Sequence, residues 1–249
     1  MRAALATVTG NLYLLFGSLF WGTTATLLGW IPPRGNLMFF SARNWGRGLL
    51  WASGVRVERS FAAPLDPRGR YIFMANHQSM FDIPLLLATL PGQTRFLAKR
   101  SLFKIPIFGW GLAAGGFIPV DRQDRSRARD TFAAAVERIE AGNSILLFPE
   151  ETRSADGALL PFQRGGFLLA MRSGLPIVPV GISGTRRVQP KGNWAIRPGR
   201  VTVRYGRPVP TADLELRRKR ELVAQVRDAV AELAGAPAGP PATDTPAVG

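Results

Sequence analysis

The chain has no cysteine, a single histidine and few acidic residues, and these shortages exclude whole classes of function. Without cysteine the protein cannot build a disulfide scaffold, a thiol nucleophile, an iron–sulfur cluster or a Cys-based zinc site. The 249 residues include 17 acidic and 32 basic residues, which gives a net charge of +15. Of the basic residues, 28 are Arg. Because Arg grips phosphates and carboxylates bidentately, the excess indicates an anionic partner, either nucleic acid or a phospholipid surface.

Charged side chains are also missing from residues 3–33, a run of 31 positions. A bilayer core of ~30 Å needs roughly 20 apolar residues as a helix, so this run is long enough to cross one. A signal peptide and an interfacial helix are the competing interpretations.

The next stretch, residues 37–55, is apolar and aromatic but has Arg43 and Arg47 four positions apart, on one helical face. We predict a membrane-associated helical hairpin over residues 1–54, joined at Pro32-Pro33. A buried soluble helix pair is the alternative. By the positive-inside rule the rest of the chain is cytoplasmic, and the basic residues after the first run fit a headgroup layer. These residues are Arg34, Arg43, Arg47, Arg56 and Arg59.

From residue 55 to residue 234, short apolar runs alternate with amphipathic helices, which predicts an α/β domain with a mixed, largely parallel sheet flanked by helices. In residues 55–59 apolar and charged side chains alternate at period two, as they do in an edge strand. The predicted strands are Val55–Arg59, Tyr71–Ala75, Arg95–Ala98, Phe117–Val120, Ile145–Phe148, Ile177–Ile182 and Val201–Tyr205. Residues 235–249 are rich in Ala, Pro and Gly and are predicted to be a disordered tail.

The only histidine, His77, comes directly after a predicted strand, and Asp82 opens an apolar helix five residues later, where a carboxylate is a natural cap. A carboxylate that meets a histidine fixes the imidazole tautomer and stabilises the imidazolium ion. The pair is therefore a candidate general base for a hydroxyl group. A polar loop with a helix cap is the alternative interpretation.

Two other predicted strand ends carry charged residues, Asp121-Arg122 and Pro149-Glu150-Glu151-Thr152-Arg153. Ligands of open α/β sheets bind beyond the carboxyl ends of the strands, so we expect these ends and His77 to face one crevice. Arg122 and Arg153 suit an anionic acceptor group, while Glu150 suits an arginine or a hydroxyl donor.

Residues 71–184 resemble the glycerolipid acyltransferases typified by 1-acylglycerol-3-phosphate (lysophosphatidate) acyltransferase. Four blocks carry the resemblance in the family's order, Asn76-His77 with Asp82, Gly116–Arg122, Phe148–Ser154 and Ile177–Val180. The resemblance implies a glycerolphosphate-acyltransferase-like fold. It also implies His77 as general base with Asp82 behind it. The substrate-binding residues that it implies are Lys99 and Arg153 for the acceptor phosphate, with Arg122, Glu150, Thr152 and Ser79 also in the acceptor site.

The resemblance further implies acyl transfer from acyl-CoA or acyl carrier protein to the free hydroxyl of 1-acylglycerol-3-phosphate. The product is phosphatidic acid, made for phospholipid biosynthesis at the cytoplasmic face of the membrane without a metal or other cofactor. Glu151 stands where the family usually has Gly, and Gln163 replaces a common Lys, so another lysolipid acceptor is the alternative. A non-catalytic scaffold that binds anionic lipid is the alternative from another class. Nucleic-acid binding lacks a recognised motif.

Overall fold

The computed structural model describes residues 1–28, 31, 36–121 and 128–235. Pro32-Pro33, Arg34, Arg122 and all but the first residue of the predicted tail lie outside them. Helices α1 to α8 are Arg2–Leu28, Asn36–Ala52, Asp82–Thr89, Phe108–Ala114, Ala128–Glu140, Gly165–Ser173, Thr185–Val188 and Lys219–Ala234. Strands β1 to β7 are Val55–Phe61, Ile72–Ala75, Thr94–Lys99, Ile118–Val120, Ser144–Leu147, Ile177–Ser183 and Gly199–Tyr205.

The seven strands form one sheet in the order β1-β7-β6-β2-β5-β3-β4. All neighbouring pairs are parallel except β6 and β7, which are antiparallel. The prediction of a mixed, largely parallel sheet is therefore confirmed, and β1 is an edge strand as its alternation indicates. Because β2, β5, β3 and β4 are parallel neighbours, their carboxyl ends lie side by side, and we call this side of the sheet the carboxyl edge.

Helices cover both faces of the sheet, and the side chains of each strand alternate between two cores. In β2, Phe73 and Ala75 pack in the core under α2 and α3, while Ile72 and Met74 pack in the core under α5, α6 and α8. All four side chains are fully buried. This burial on both faces explains why the central strands read as continuous apolar runs.

The helical hairpin packs against the α/β domain along much of its length. Near the start of α1, the hydroxyl of Thr7 accepts a hydrogen bond from the amide of Ile196 at 2.9 Å. Near its end, Gly22 and Ala25 lie against α4 beside Gly111. Of the described helices, α1 alone is long and apolar enough to cross a bilayer. Its outward face is apolar, with Leu5, Val8, Leu12, Leu15, Phe16, Leu19, Phe20 and Leu27 exposed.

Two of the arginines predicted for the headgroup layer also donate hydrogen bonds to carbonyl groups of the protein. The guanidinium of Arg43 donates to the carbonyl of Leu90 at 2.7 Å, and that of Arg59 donates to the carbonyl of Thr89 at 3.3 Å. Both carbonyls lie at the carboxyl end of α3, where the last helical carbonyls lack intrahelical donors and the helix dipole favours a cation. Arg43 is half-buried in this contact and Arg59 is exposed, and a headgroup role for either side chain stays a prediction.

Candidate active site

His77 and Asp82 meet beyond the carboxyl end of β2. The Nδ1 atom of His77 lies 2.8 Å from Oδ2 of Asp82, and the same oxygen accepts the backbone N–H groups of Gln78 at 2.7 Å and Ser79 at 2.8 Å. Asp82 has no exposed surface. Because a carboxylate can only accept hydrogen bonds, the contact requires the N–H on Nδ1 of the imidazole, which leaves Nε2 as the acceptor of the neutral ring.

The part that Asp82 plays in its helix differs from the prediction. Asp82 is the first residue of α3, and Phe81 precedes it as the N-cap with no side-chain cap bond. The carboxylate turns back onto the preceding loop, so its charge orients His77 in addition to lying at the positive end of the helix. All three hydrogen bonds are made by Oδ2, while Oδ1 of Asp82 is buried without a hydrogen-bond partner.

The loop that carries His77 is held from two neighbouring strands. The side-chain amide of Asn76 donates to the carbonyl of Ile182 at 3.0 Å and accepts the N–H of Ile182 at 2.7 Å. On the other side, the N–H of Ser154 donates to the carbonyl of His77 at 2.8 Å. The ring of Phe148 stacks on the imidazole with centroids 4.0 Å apart and an angle of 16° between the planes. These contacts fix the imidazole ring in the loop.

Glu150 supports the same loop from the end of β5. Its Oε1 accepts the N–H of His77 at 2.6 Å, and its Oε2 accepts the N–H of Leu160 at 2.9 Å. Burial raises the pKa of Glu150 to about 7, while the hydrogen bonds from Leu160 and His77 lower it. Nearby Asp82 raises this pKa and Arg227 lowers it. Both carboxylate oxygens are thus occupied by backbone amides, and the side chain is only 4% exposed.

The motif after Glu150 forms a turn in which Glu151 has φ = +56°, a left-handed conformation that favours glycine. The N–H of Glu151 donates to the carbonyl of Phe148 at 3.0 Å and closes the turn. Thr152 is exposed and Arg153 is half-buried. The chain therefore keeps a glycine-type backbone at the position where its sequence has a carboxylate.

The remaining predicted site residues lie at different depths. Ser79 has no exposed surface, and its hydroxyl donates to the carbonyl of Gln189 at 2.8 Å and accepts the N–H of Phe81 at 3.1 Å. Its hydroxyl is thus used within the loop and is not exposed for a substrate. Lys99 is exposed at the end of β3. Since β3 lies two strands from β2, Lys99 is about 10 Å from the strand of His77. Arg122 lies outside the described residues.

A groove of about 640 Å³ runs between α5 and α6 and reaches the carboxyl ends of β4 and β5. Its apolar wall includes Leu97, Val120, Phe132, Leu147 and Leu169, and Phe148 forms part of the same wall. Its polar side chains include those of Arg129, Arg164, Arg172, Glu151 and Gln163. Because the ring of Phe148 also stacks on His77, one wall of the groove adjoins the imidazole.

A family model described as Acyltransferase matches residues 55–183, just over half of the chain. The chain belongs to this acyltransferase family. It is 35% identical to the chloroplastic 1-acyl-sn-glycerol-3-phosphate acyltransferase BAT2 of Brassica napus over 163 residues, 65% of this chain and 45% of that protein. It is 31% identical to the 1-acyl-sn-glycerol-3-phosphate acyltransferase of Limnanthes alba over 217 residues, 86% of this chain and 76% of that one.

The fold of this acyltransferase family member has a solved counterpart. The structure is that of the 1-acyl-sn-glycerophosphate (LPA) acyltransferase PlsC from Thermotoga maritima, with a TM-score of 0.78 and 26% identity. The match covers 94% of this chain and 97% of that one. Among the curated relatives, however, the chain spans only about half the length of some, the Brassica napus protein included.

Several residues that shape this acyltransferase site are not among the predicted ones. Asn76 and Gln78 both bond to Ile182, with the side-chain amide of Gln78 donating to its carbonyl at 2.7 Å. Asn76 belongs to the first block of the family resemblance, whereas the only sequence signal for Gln78 is that it follows His77. Phe148 ends an apolar strand and looks like a core residue in the sequence. Its stacking on His77 depends on the pairing of β2 with β5, which local sequence does not encode.

Proposed function

We propose that the protein transfers an acyl chain from an acyl thioester to the free hydroxyl of 1-acylglycerol-3-phosphate and so forms phosphatidic acid. The observation that carries the proposal is the His77–Asp82 pair, in which one buried carboxylate oxygen holds Nδ1 at 2.8 Å. The relatives named 1-acyl-sn-glycerol-3-phosphate acyltransferases support the choice of acceptor.

In this reaction Nε2 of His77 removes the proton from the acceptor hydroxyl as its oxygen attacks the thioester carbonyl. The Asp82 carboxylate stabilises the imidazolium ion that forms. The tetrahedral intermediate then collapses and the C–S bond breaks. The leaving thiolate takes up the proton held on Nε2, which restores the neutral imidazole. A thioester is reactive enough for this direct transfer, so the proposal needs neither a covalent enzyme intermediate nor a metal or other cofactor.

We assign the acceptor phosphate to Lys99 and Arg153, which lie at the same edge of the sheet as His77. We assign the thioester end of the acyl donor, acyl-CoA or acyl carrier protein, to the groove between α5 and α6. Its volume of about 640 Å³ lies within the ~300–1,000 Å³ usual for small-molecule sites, and its wall at Phe148 adjoins the imidazole. Arginines at the groove suit the phosphates of CoA or an acidic carrier.

For the membrane, we propose that α1 lies in one leaflet and does not cross the bilayer. The helix contacts the domain near its start, where Thr7 bonds Ile196, and near its end, where Gly22 approaches Ile107. A helix held along its length by a polar domain cannot be surrounded by lipid. Its exposed apolar side chains instead suit insertion to the depth of an interfacial helix.

The test is release of free thiol from an acyl thioester by the purified protein in detergent, with a panel of lysolipid acceptors. We expect His77→Ala to lower kcat by ~10²–10⁴, the usual contribution of a general base. Asp82→Asn should lower kcat by a similar factor, because its amide can still accept the two loop N–H groups but cannot stabilise the imidazolium charge.

The matched control is Asp228→Asn, which removes an exposed carboxylate from α8 and should leave kcat unchanged. Unchanged turnover in His77→Ala contradicts the mechanism. Preference for a lysolipid without a phosphate monoester favours the other acceptor class, which is suggested by the position of Glu151 and Gln163 at the groove. A scaffold without catalysis predicts no thiol release from any acceptor and no effect of Asp82→Asn.

A further inference from the structure

Residues 189–198, the loop between α7 and β7, connect the apolar helix α1 to the catalytic loops. At one end of this 189–198 loop, the amide of Ile196 donates to the hydroxyl of Thr7 at 2.9 Å, and the side-chain amide of Asn11 donates to the carbonyl of Trp194 at 3.3 Å. The side chain of Ile196 is buried beside Gly10 of α1. The loop is therefore fixed to the first three turns of that helix.

The other end of the 189–198 loop contacts the active site. The hydroxyl of Ser79 donates to the carbonyl of Gln189 at 2.8 Å, two residues from His77. The ammonium group of Lys191 donates to the carbonyl of Arg153 at 2.9 Å. One short segment thus contacts α1, the histidine loop and the motif at the end of β5.

The tip of the 189–198 loop has the composition of a membrane interface contact. The indole of Trp194 is 75% exposed although its neighbour Ile196 is buried. The exposed cations Lys191 and Arg197 lie three residues to either side of it. An exposed indole suits the headgroup level of a bilayer, and flanking cations suit anionic lipids. The loop is fixed to the same helix, α1, whose other side chains form an exposed apolar face.

We infer that the 189–198 loop binds the headgroup layer of an anionic phospholipid bilayer through Trp194 and Arg197, and so holds the histidine loop at the membrane surface. The inference rests on the proposed function, since it places a lysolipid acceptor where a membrane-bound pool is found. It adds a second contact to that of α1, on the side of the domain that carries the active site. The bound partner is a lipid surface and not a protein, because an exposed indole with a cation on each side is typical of a contact at the headgroup level.

The first measurement is binding of the full chain to sedimented vesicles of phosphatidylcholine, with or without phosphatidylglycerol. We expect Trp194→Ser to weaken binding to both vesicle types by roughly tenfold, from loss of indole burial. Trp194→Phe should retain most of the binding. Arg197→Gln should weaken binding only to vesicles that contain phosphatidylglycerol, by a few-fold, since a cation at the surface contributes about 1 kcal/mol.

Leu216→Ser is the matched control, because Leu216 is an exposed apolar residue before α8. It should bind both vesicle types as the wild type does. Wild-type binding by Trp194→Ser overturns the inference, as does an equal loss in Leu216→Ser. Melting temperatures of all variants should match, since these side chains are exposed.

The second measurement separates this inference from the proposed function. Turnover of a short-chain acceptor in monomeric solution should be the same in the wild type and in Trp194→Ser, while turnover of an acceptor embedded in vesicles should fall with the loss of binding. Failure of the wild type on both acceptors contradicts the proposed function alone, because vesicle binding needs no turnover. Equal turnover of the vesicle acceptor by both proteins overturns the coupling.

Discussion

Replacing Glu151 by glycine should stabilise the protein. Glu151 has φ = +56°, and a residue with a Cβ atom in this left-handed region costs ~1–2 kcal/mol. Glycine removes that cost. It also makes the unfolded chain more flexible, and this lowers the free energy of unfolding by ~0.5–1 kcal/mol. The expected net change in the free energy of unfolding is therefore an increase of up to about 1.5 kcal/mol. For a chain of this length, each kcal/mol raises Tm by ~2–4 °C.

The measurement is urea and thermal unfolding in detergent, compared for the wild type, Glu151→Gly and Glu151→Ala. Alanine removes the carboxylate but keeps Cβ, so it should leave most of the strain in place. Equal stabilisation by alanine and glycine would show that the charge, and not the backbone, sets the cost. A loss of stability in Glu151→Gly refutes the strain argument altogether.

The same three proteins test the acceptor preference. Glu151 lies at the groove, and its side chain is exposed. If the carboxylate repels an acceptor phosphate, both variants should lower KM for 1-acylglycerol-3-phosphate relative to a zwitterionic lysolipid. If only glycine changes the preference, the backbone of the turn sets it. The charge and backbone effects are therefore separable with one additional variant.

The remaining predictions concern the buried carboxyl and one close contact. Burial raises the pKa of Glu150 from its ordinary 4.5 to about 7, so the folded state binds this proton more tightly than the unfolded state. Its contribution to stability is thus complete below pH 4.5 and declines by about 3 kcal/mol as the pH rises through 7. Glu150→Gln should flatten that dependence in urea midpoints measured from pH 4 to pH 8, and identical slopes contradict it. Gly181→Ala should destabilise by ~1–3 kcal/mol, because its Cβ atom would lie 2.2 Å from the carbonyl carbon of Leu233 in α8. Gly165→Ala is the matched control and should not destabilise the protein, because a Cβ atom added at Gly165 would have no heavy atom outside its own helix and chain neighbours within 4 Å.

The sequence predicts the strands and the shared edge of the sheet well, because both follow from local patterns. Apolar runs and the residues that follow them identify β2, β5 and the position of His77. The sequence does not predict how Glu150 is used, because its two acceptor positions depend on the amides of His77 and Leu160, which come from other parts of the chain. A carboxyl beside a catalytic motif looks like a substrate ligand until the fold supplies those two donors.

The excess of arginine has an internal explanation in addition to the anionic partner. Besides Arg43 and Arg59 at α3, several guanidinium groups donate to carbonyls at or just beyond the ends of helices. These are Arg70 to Ile139 at α5, Arg138 to Gly116 after α4, and Arg204 to Leu233 at α8, at 3.2, 3.1 and 2.8 Å. Such carbonyls lack intrahelical donors and carry the negative end of the helix dipole, so a long cationic side chain stabilises them.

This use of arginine changes what the net charge of +15 implies. Each guanidinium that caps a helix still contributes to the net charge, yet at least one of its five N–H donors is used by a carbonyl of the protein. The cationic side chains that bind substrate and membrane must therefore be identified from their positions, because the net charge does not distinguish them. Lys99 and Arg153 lie at the carboxyl ends of β3 and β5, and Arg197 is an exposed residue three positions after the exposed indole of Trp194. A basic composition alone does not distinguish these sites from helix caps, whereas the hydrogen-bond partners do.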